Sequence, residues 1–200
     1  MVSKSESDNR KLTDEERTDM LDSLRTIDQR SKSLKEFVQN FRSVNQIPEP
    51  VMTKIPVGEI ISEVTHLFAA ELNKHNIVLH TENGHAVHNI YADKNLTMQV
   101  LINLMKNAIE AMSNYKEGKD IRINVGNEGN RYVNINISDS GCGIAPEDID
   151  QIFVPFYSTK KGGSGIGLSI SQQIMQKQKG NIMVRSSPGR GSVFTLNFTC

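Results

Sequence analysis

Two hydrophobic periods run along this chain, and the change between them divides it. Met20, Leu24, Ile27, Leu34, Val38 and Phe41 recur at steps of four and three, with Ser31 filling one slot. That is the seam of a coiled-coil or bundle helix. Thr13 with Glu16 three residues on is a capping-box start for it. Pro48, Pro50 and Pro56 end it near Gln46, because proline lacks the amide donor and restricts its predecessor. A lone helix cannot bury such a seam. It calls for a partner helix; the alternative is a helix folded back on the rest of the chain.

Beyond the prolines the pattern is mixed. Ile60, Ile61, Val64, Leu67, Phe68 and Leu72 form a wide helical stripe. Strand-like stretches follow at Ile77–His80 and near Ile90–Tyr91, and Asp93 or Asn95 opens a helix to about Met112. Ile121, Ile123 and Val125, then Val133, Ile135 and Ile137, alternate with polar residues, and Gly126–Asn130 reads as the hairpin turn between them. Pro146 opens a short helix, and Ile166, Ile170 and Ile174 mark a longer one. Ile182 and Val184 pair with Phe194, Leu196 and Phe198 as closing strands. The simplest packing is an α+β two-layer sandwich, with helices on one face of a mostly antiparallel sheet.

Composition narrows the function. The 200 residues suffice for one ordinary domain and a smaller element. Lys plus Arg and Asp plus Glu are both 23, so there is no basic excess and no nucleic-acid partner is expected. Cys142 and Cys200 cannot form a disulfide framework, which fits a reducing, cytoplasmic setting. No run approaches 18 apolar residues, so this chain is expected to make no membrane contact, while a longer parent could be membrane-anchored.

Four motifs carry the chemistry. In "LINLMKNAIEAM", Leu101, Leu104, Met105, Ala108, Ala111 and Met112 form the apolar stripe, and Asn103, Asn107 and Glu110 stand opposite at i, i+4 and i+7. An asparagine oxygen suits a hard cation; the same residues also suit a solvated face. In "ISDSGCGIAPED", Asp139 ends an alternating strand and can accept from an exocyclic amine, with Gly141 and Gly143 letting a flat ring approach; a tight turn uses the same residues. In "IFVPFYSTKK", Phe153 and Phe156 precede Lys160 and Lys161, as in a loop that closes over a ligand or a plug beneath a surface loop. In "GGSGIGLSI", alternating glycines run into a helix. Ser164 is its expected N-cap, and the free amides favour an anion. Leu168 and Ser169 stand where a Walker loop would carry its lysine and hydroxyl, so the cation must come from elsewhere.

In this order the four motifs resemble the ATP-binding domain of sensor histidine kinases. This is the Bergerat fold, of the GHKL superfamily, shared with gyrase, the mismatch-repair MutL ATPase and the large heat-shock chaperones. The resemblance covers Pro56 to about Phe198. The segment "IDQRSKSLKEFVQNFRSVNQIPEP" is similar to the second helix of the dimerisation hairpin in nitrogen-regulation-type sensor kinases. The implied division is a hairpin helix over 1–47, a proline linker over 48–56 and the ATPase domain over 57–200.

The resemblance implies ATP and Mg2+ as ligands, with Asn107 holding the metal and Lys160 supplying the cation to the phosphates. It places Asp139 on the adenine amine, with Gly141, Gly143 and Ile144 shaping that pocket and Ser192 nearby. Gly163, Ser164, Gly165, Gly167 and Leu168 meet the phosphates, and Asn103 and Lys106 flank the metal. The implied reaction moves the γ-phosphoryl group to a histidine, and then to the receiver domain of a response regulator. A homodimer through the full hairpin is implied too.

The departures matter. None of His66, His75, His80, His85 and His88 is followed by an acid, and all lie after the hairpin-like helix. The phosphoacceptor helix is therefore expected to be missing here, and autophosphorylation in cis is not expected. His85 and His88 lack a third ligand for a metal. Two other readings are a degenerate nucleotide-binding docking module and an anti-sigma-type serine kinase; the long heptad helix argues against the second.

Overall fold

The structure, a computed structural model, describes residues 13–45, 47–83, 89–113, 118–128, 132–160 and 163–199. The expected helix end at Gln46, the His85–His88 pair, Gly129 and Asn130 of the expected turn, Lys161, Gly162 and Cys200 lie outside these residues; Gly126–Glu128, expected in that turn, continue the strand that begins at Asp120. The chain divides into two compact units between Arg42 and Ser43.

The first unit is helical. Helix α1 spans Asp14–Asn45. Thr13 and Glu16 close the expected capping box: the Thr13 amide donates to Glu16 Oε2 at 2.9 Å, and the Glu16 amide to Thr13 Oγ1 at 3.3 Å. Ion pairs Arg25–Asp22 and Lys32–Asp28 line its polar surface. Met20, Leu24 and Ile27 are exposed; the side chains of Leu34, Val38 and Phe41 lie outside those described.

The second unit takes in the last residues of α1, Ser43–Asn45, and continues as an extended segment. Thr53–Pro56, expected at the end of the linker, form β1 and pair antiparallel with β3 (Asn89–Ala92). Proline is tolerated there because it closes the strand. Helix α2 (Val57–Lys74) follows directly, and β2 (Val78–Asn83) comes next. Leu67 is exposed although it was counted in the α2 stripe, because it falls at the margin of the face centred on Val64 and Phe68.

Helix α3 spans Lys94–Ala111, and Asp93 is its N-cap, accepting from the Leu96 amide at 3.0 Å. The other carboxylate oxygen of Asp93 takes the Val51 amide at 2.8 Å. Lys177 Nζ reaches the Ile47 carbonyl at 2.9 Å and Glu49 Oε1 at 2.8 Å. One cap and one lysine thus fasten the proline segment to the folded unit.

Strands β4 (Asp120–Glu128) and β5 (Tyr132–Asp139), the short helix α4 (Pro146–Ile149), helix α5 (Gly167–Lys177) and strands β6 (Asn181–Ser186) and β7 (Ser192–Thr199) complete the unit. The main sheet runs β2-β4-β5-β7-β6. Its pairs are antiparallel except β2 with β4. Ile121, Ile123, Ile135, Ile137, Leu196 and Phe198 turn inward beneath Val64, Phe68, Val100, Leu104, Met105 and Ile174 of the helices, and all are buried. Burying these side chains, at about 1.5–3 kcal/mol each, holds the two layers together. The arrangement is the two-layer α+β sandwich of the Bergerat fold.

Candidate nucleotide site

One end of this sandwich is open. Between α3, the β5–α4 turn and the segment leading into α5 lies a cavity of about 470 Å³. All the residues expected at the site line it except Gly141.

Asp139 sits there because β5 ends there. Its register partner is Ser192, the first residue of β7. Its Oδ1 accepts the Gly141 amide at 2.8 Å. Burial pushes the carboxyl above the usual carboxylate range; the amides of Gly141 and Ser192 and the charge of Lys160 oppose that rise without cancelling it. Gly141 therefore works from behind the aspartate. A side-chain carbon on it would stand 2.7 Å from Ala111 Cβ. Gly191 is tighter still: with φ at +80°, an added carbon would lie 1.8 Å from the Asp139 carbonyl oxygen.

Ser192 belongs to a small hydroxyl network. Ser186 Oγ donates to the Gly191 carbonyl at 2.8 Å and accepts the Ile144 amide at 2.8 Å. Its single hydrogen is thereby used, so Ser192 Oγ, 3.0 Å away, is the donor between the two. Ser186 carried no signal in the sequence beyond a polar position in a strand.

Along α3 the polar face divides its work. Asn103 Nδ2 donates to Ser171 Oγ at 2.9 Å, fastening α3 to α5. Its Oδ1 lies where a side chain on Gly167 would be. Lys106 is exposed at the mouth. Asn107 Oδ1 accepts from Lys160 Nζ at 3.4 Å, and the same ammonium pairs with Glu110 Oε2 at 2.6 Å. The cation missing from the glycine loop is therefore present, and it meets the asparagine oxygen expected to hold a metal.

The glycine segment is laced to the aromatic one. The Phe156 amide donates to the Gly165 carbonyl at 2.9 Å. Gly165 has φ +66° and Phe156 φ +69°. The second is unusual for an aromatic residue and costs about 1–3 kcal/mol locally. Tyr157 donates its hydroxyl to Asp148 Oδ1, which raises the phenol above its usual range. Glu110, Asp148, Tyr157 and Ser158 also line the cavity and were not singled out as site residues. Glu110 had its place on the polar stripe as a signal; Asp148, Tyr157 and Ser158 lie within the second and third motifs.

Helix α5 starts at Gly167, later than expected, and its N-cap is Ile166 with no side-chain cap. Ser164 is therefore not the cap: Gly165 turns the chain, and the buried Ile166 takes the capping position. The first-turn amides of α5 keep no side-chain acceptor, and Gly167 and Leu168 face the cavity, so this end suits an anion.

The fold and the cavity bring the four motifs together at one end of the sandwich. Residues 92–199, over half of the chain, match the family described as histidine kinase-, DNA gyrase B-, and HSP90-like ATPase. The chain belongs to this family. It is 34% identical over 142 residues to the sensor histidine kinase ZraS of Salmonella typhimurium, covering 71% of this chain and 30% of that protein. The nucleotide-free catalytic domain of histidine kinase ThkA is similar in structure, with TM-score 0.66 and 34% identity over 74% of this chain and 95% of that one. ThkA in complex with the response regulator TrrA matches with TM-score 0.70 and 28% identity, over 87% of this chain and 49% of that one. The chain thus spans about a third of the length of ZraS. Among the described residues no helix is long and apolar enough to cross a membrane, and no cluster of three or more His, Cys, Asp or Glu could hold a metal.

Proposed function

We propose that this chain binds ATP with Mg2+ and is the catalytic domain of a two-component sensor kinase, which phosphorylates a histidine for relay to a receiver-domain aspartate. The observation that carries the reading is the convergence of Asp139, Asn107, Lys160 and the uncapped start of α5 on one cavity.

Each group has a task. Asp139 accepts from the adenine amine, and Gly143 with Ile144 offers a flat wall. Lys160 and the first amides of α5 neutralise the phosphate tail, which is most of what a protein contributes to phosphoryl transfer. Asn103 fixes the spacing of α3 and α5, between which the phosphates lie. Asn107 turns its oxygen, not its NH2, toward the cationic corner, so its donor chemistry fits magnesium. Magnesium bound there would supply charge neutralisation on the phosphate oxygens.

The partners follow from the same reading. We assign α1 to a dimerisation hairpin, with residues 48–52 as its linker and the domain from β1 onward, which pairs with β3, as the ATPase unit. The exposed Met20, Leu24 and Ile27 suit a second helix, and the homodimer forms through that hairpin. The ThkA–TrrA complex supports a response regulator as the phosphoryl acceptor's partner. A cytoplasmic setting fits the free thiol of Cys142.

The test is calorimetric titration with ATP, with and without Mg2+, of the unmodified chain, Asp139→Asn and Asn107→Ala. Expected are binding by the first, none by the second, and loss of magnesium dependence in the third. Failure of the unmodified chain to bind leaves a docking module and removes the kinase reading.

A further inference from the structure

We propose that Glu110 is a second protein oxygen of the magnesium position, and that the Lys160 ammonium holds this position until nucleotide and metal displace it. The inference rests on the ATP reading above and deepens it.

Glu110 stands one turn after Asn107 on the same face of α3. Side-chain oxygens of both meet one cation: Lys160 Nζ lies 2.6 Å from Glu110 Oε2 and 3.4 Å from Asn107 Oδ1. An ammonium and a magnesium ion demand the same partners, oxygen acceptors, and differ in the charge they bring. Magnesium is ordinarily held by one or two carboxylates together with phosphate oxygens and water. Asn107 is neutral; Glu110 supplies the missing carboxylate. The ammonium therefore marks a point at which the fold has already gathered an oxygen pair around positive charge.

The charges decide the order of events. A free Glu110 carboxylate beside a triphosphate would repel it. In the empty site Lys160 cancels that charge. In the loaded site the metal does, and Lys160 turns to the phosphate oxygens. The exchange is cheap because the pair is half exposed, at 45% for Lys160 and 58% for Glu110, and exposed ion pairs contribute little to stability. The Lys160 amide donates to Ser158 Oγ at 3.2 Å. The long, flexible lysine stem lets the ammonium reach both places. Glu110 is thus a metal-side residue, and its link to Lys160 makes metal and lysine alternate occupants of one place.

The variant is Glu110→Gln, which keeps shape and removes charge. The 200-residue chain is titrated with a non-hydrolysable ATP analogue at increasing Mg2+. For Glu110→Gln the Mg2+ needed for half-maximal tightening is expected to rise about tenfold, the scale of losing a contact around a metal. Its affinity for the metal-free analogue is expected to equal or exceed that of the unmodified chain, since repulsion is gone and Lys160 is released. Weaker coupling to the metal with undiminished binding of the metal-free analogue is a combination that a general structural defect cannot produce. An independent readout replaces magnesium with Mn2+ and follows the free ion by electron paramagnetic resonance, where the variant is expected to lose occupancy by the same factor. Unchanged Mg2+ and Mn2+ responses in a variant that still binds the analogue would overturn this inference alone. An unmodified chain that binds no analogue under either condition would overturn the ATP reading, and this inference with it.

Discussion

Gly167 opens α5 with its Cα against the side chain of Asn103 on α3: a carbon added to the glycine would stand 2.2 Å from Asn103 Oδ1. Two helices meet at this point, and Asn103 is not free to withdraw, because its NH2 group is bonded to Ser171. Gly167→Ala is expected to destabilise the chain by about 1–3 kcal/mol, the usual cost of overpacking. Asn103→Ala should remove the clash, so the double variant should be more stable than the sum of the singles implies. Urea unfolding of the four proteins gives the coupling; strict additivity would show that the two residues do not touch.

Asp139 makes a pH prediction with a definite sign. Its folded-state pKa lies above the ordinary 3.8, with burial as the leading cause. The folded domain therefore holds that proton more tightly than the unfolded chain does. Ionising it costs stability, so its contribution falls as pH rises from the ordinary carboxylate value through the raised one, and levels off above. Asp139→Asn should be at least as stable as the unmodified chain at neutral pH and should lack this slope, while losing ATP binding. Urea midpoints on both sides of that range, with nucleotide titration, check it. A variant destabilised at neutral pH would show that the carboxylate is a structural asset.

Lys160 separates binding from folding. Its partners are Glu110 and Asn107, both at the mouth of the cavity. Lys160→Met is expected to change unfolding free energy by no more than about 1 kcal/mol, as for exposed pairs. Its ATP affinity should fall about ten- to hundredfold, the worth of a charged hydrogen bond. Chemical denaturation and calorimetry on one preparation test both halves.

Gln178 is the reverse case, remote from chemistry and buried. Its Oε1 accepts the Asp93 amide at 2.6 Å and the Thr97 hydroxyl at 3.2 Å. Gln178→Ala strands that amide at the start of α3 and should cost about 2–3 kcal/mol. A urea midpoint unmoved by this change would contradict the role assigned to it.

Local pattern made much of this legible in advance. The stripe of Leu101, Leu104, Met105 and Ala108 needs only a period of 3.6, and the alternation of Val133, Ile135 and Ile137 only a period of two. Thr13 with Glu16 as a capping box is a contact between near neighbours, so spacing finds it; for α3 spacing left Asp93 or Asn95, and the structure gives the cap to Asp93. Asp139, Asn107, Lys160 and Gly167 could be named because their motifs stand in a recognisable order. What spacing could not find is equally physical. Leu67 fell outside the core because the edge of a stripe depends on how far the neighbouring layer reaches. Ser164 lost its cap to Ile166 because the positive φ of Gly165 moves the start of the helix. Ser186 had no pattern to announce it.

The sequence by itself determined most of the elements, most of their inward faces and the order of the chemical motifs, because these follow from periodicity and from bonds between residues a few places apart; β1, the margin of the α2 face at Leu67 and the start of α5 were outside its reach. The tertiary structure decided which polar groups share a partner. Asn103 and Gly167, Glu110 and Lys160, Gly191 and Asp139 are separated by about fifty residues or more, and only the closing of the two layers brings them together. Hydrogen-bond direction, desolvation and excluded volume act over a few ångströms of space, and no spacing along a chain records that distance.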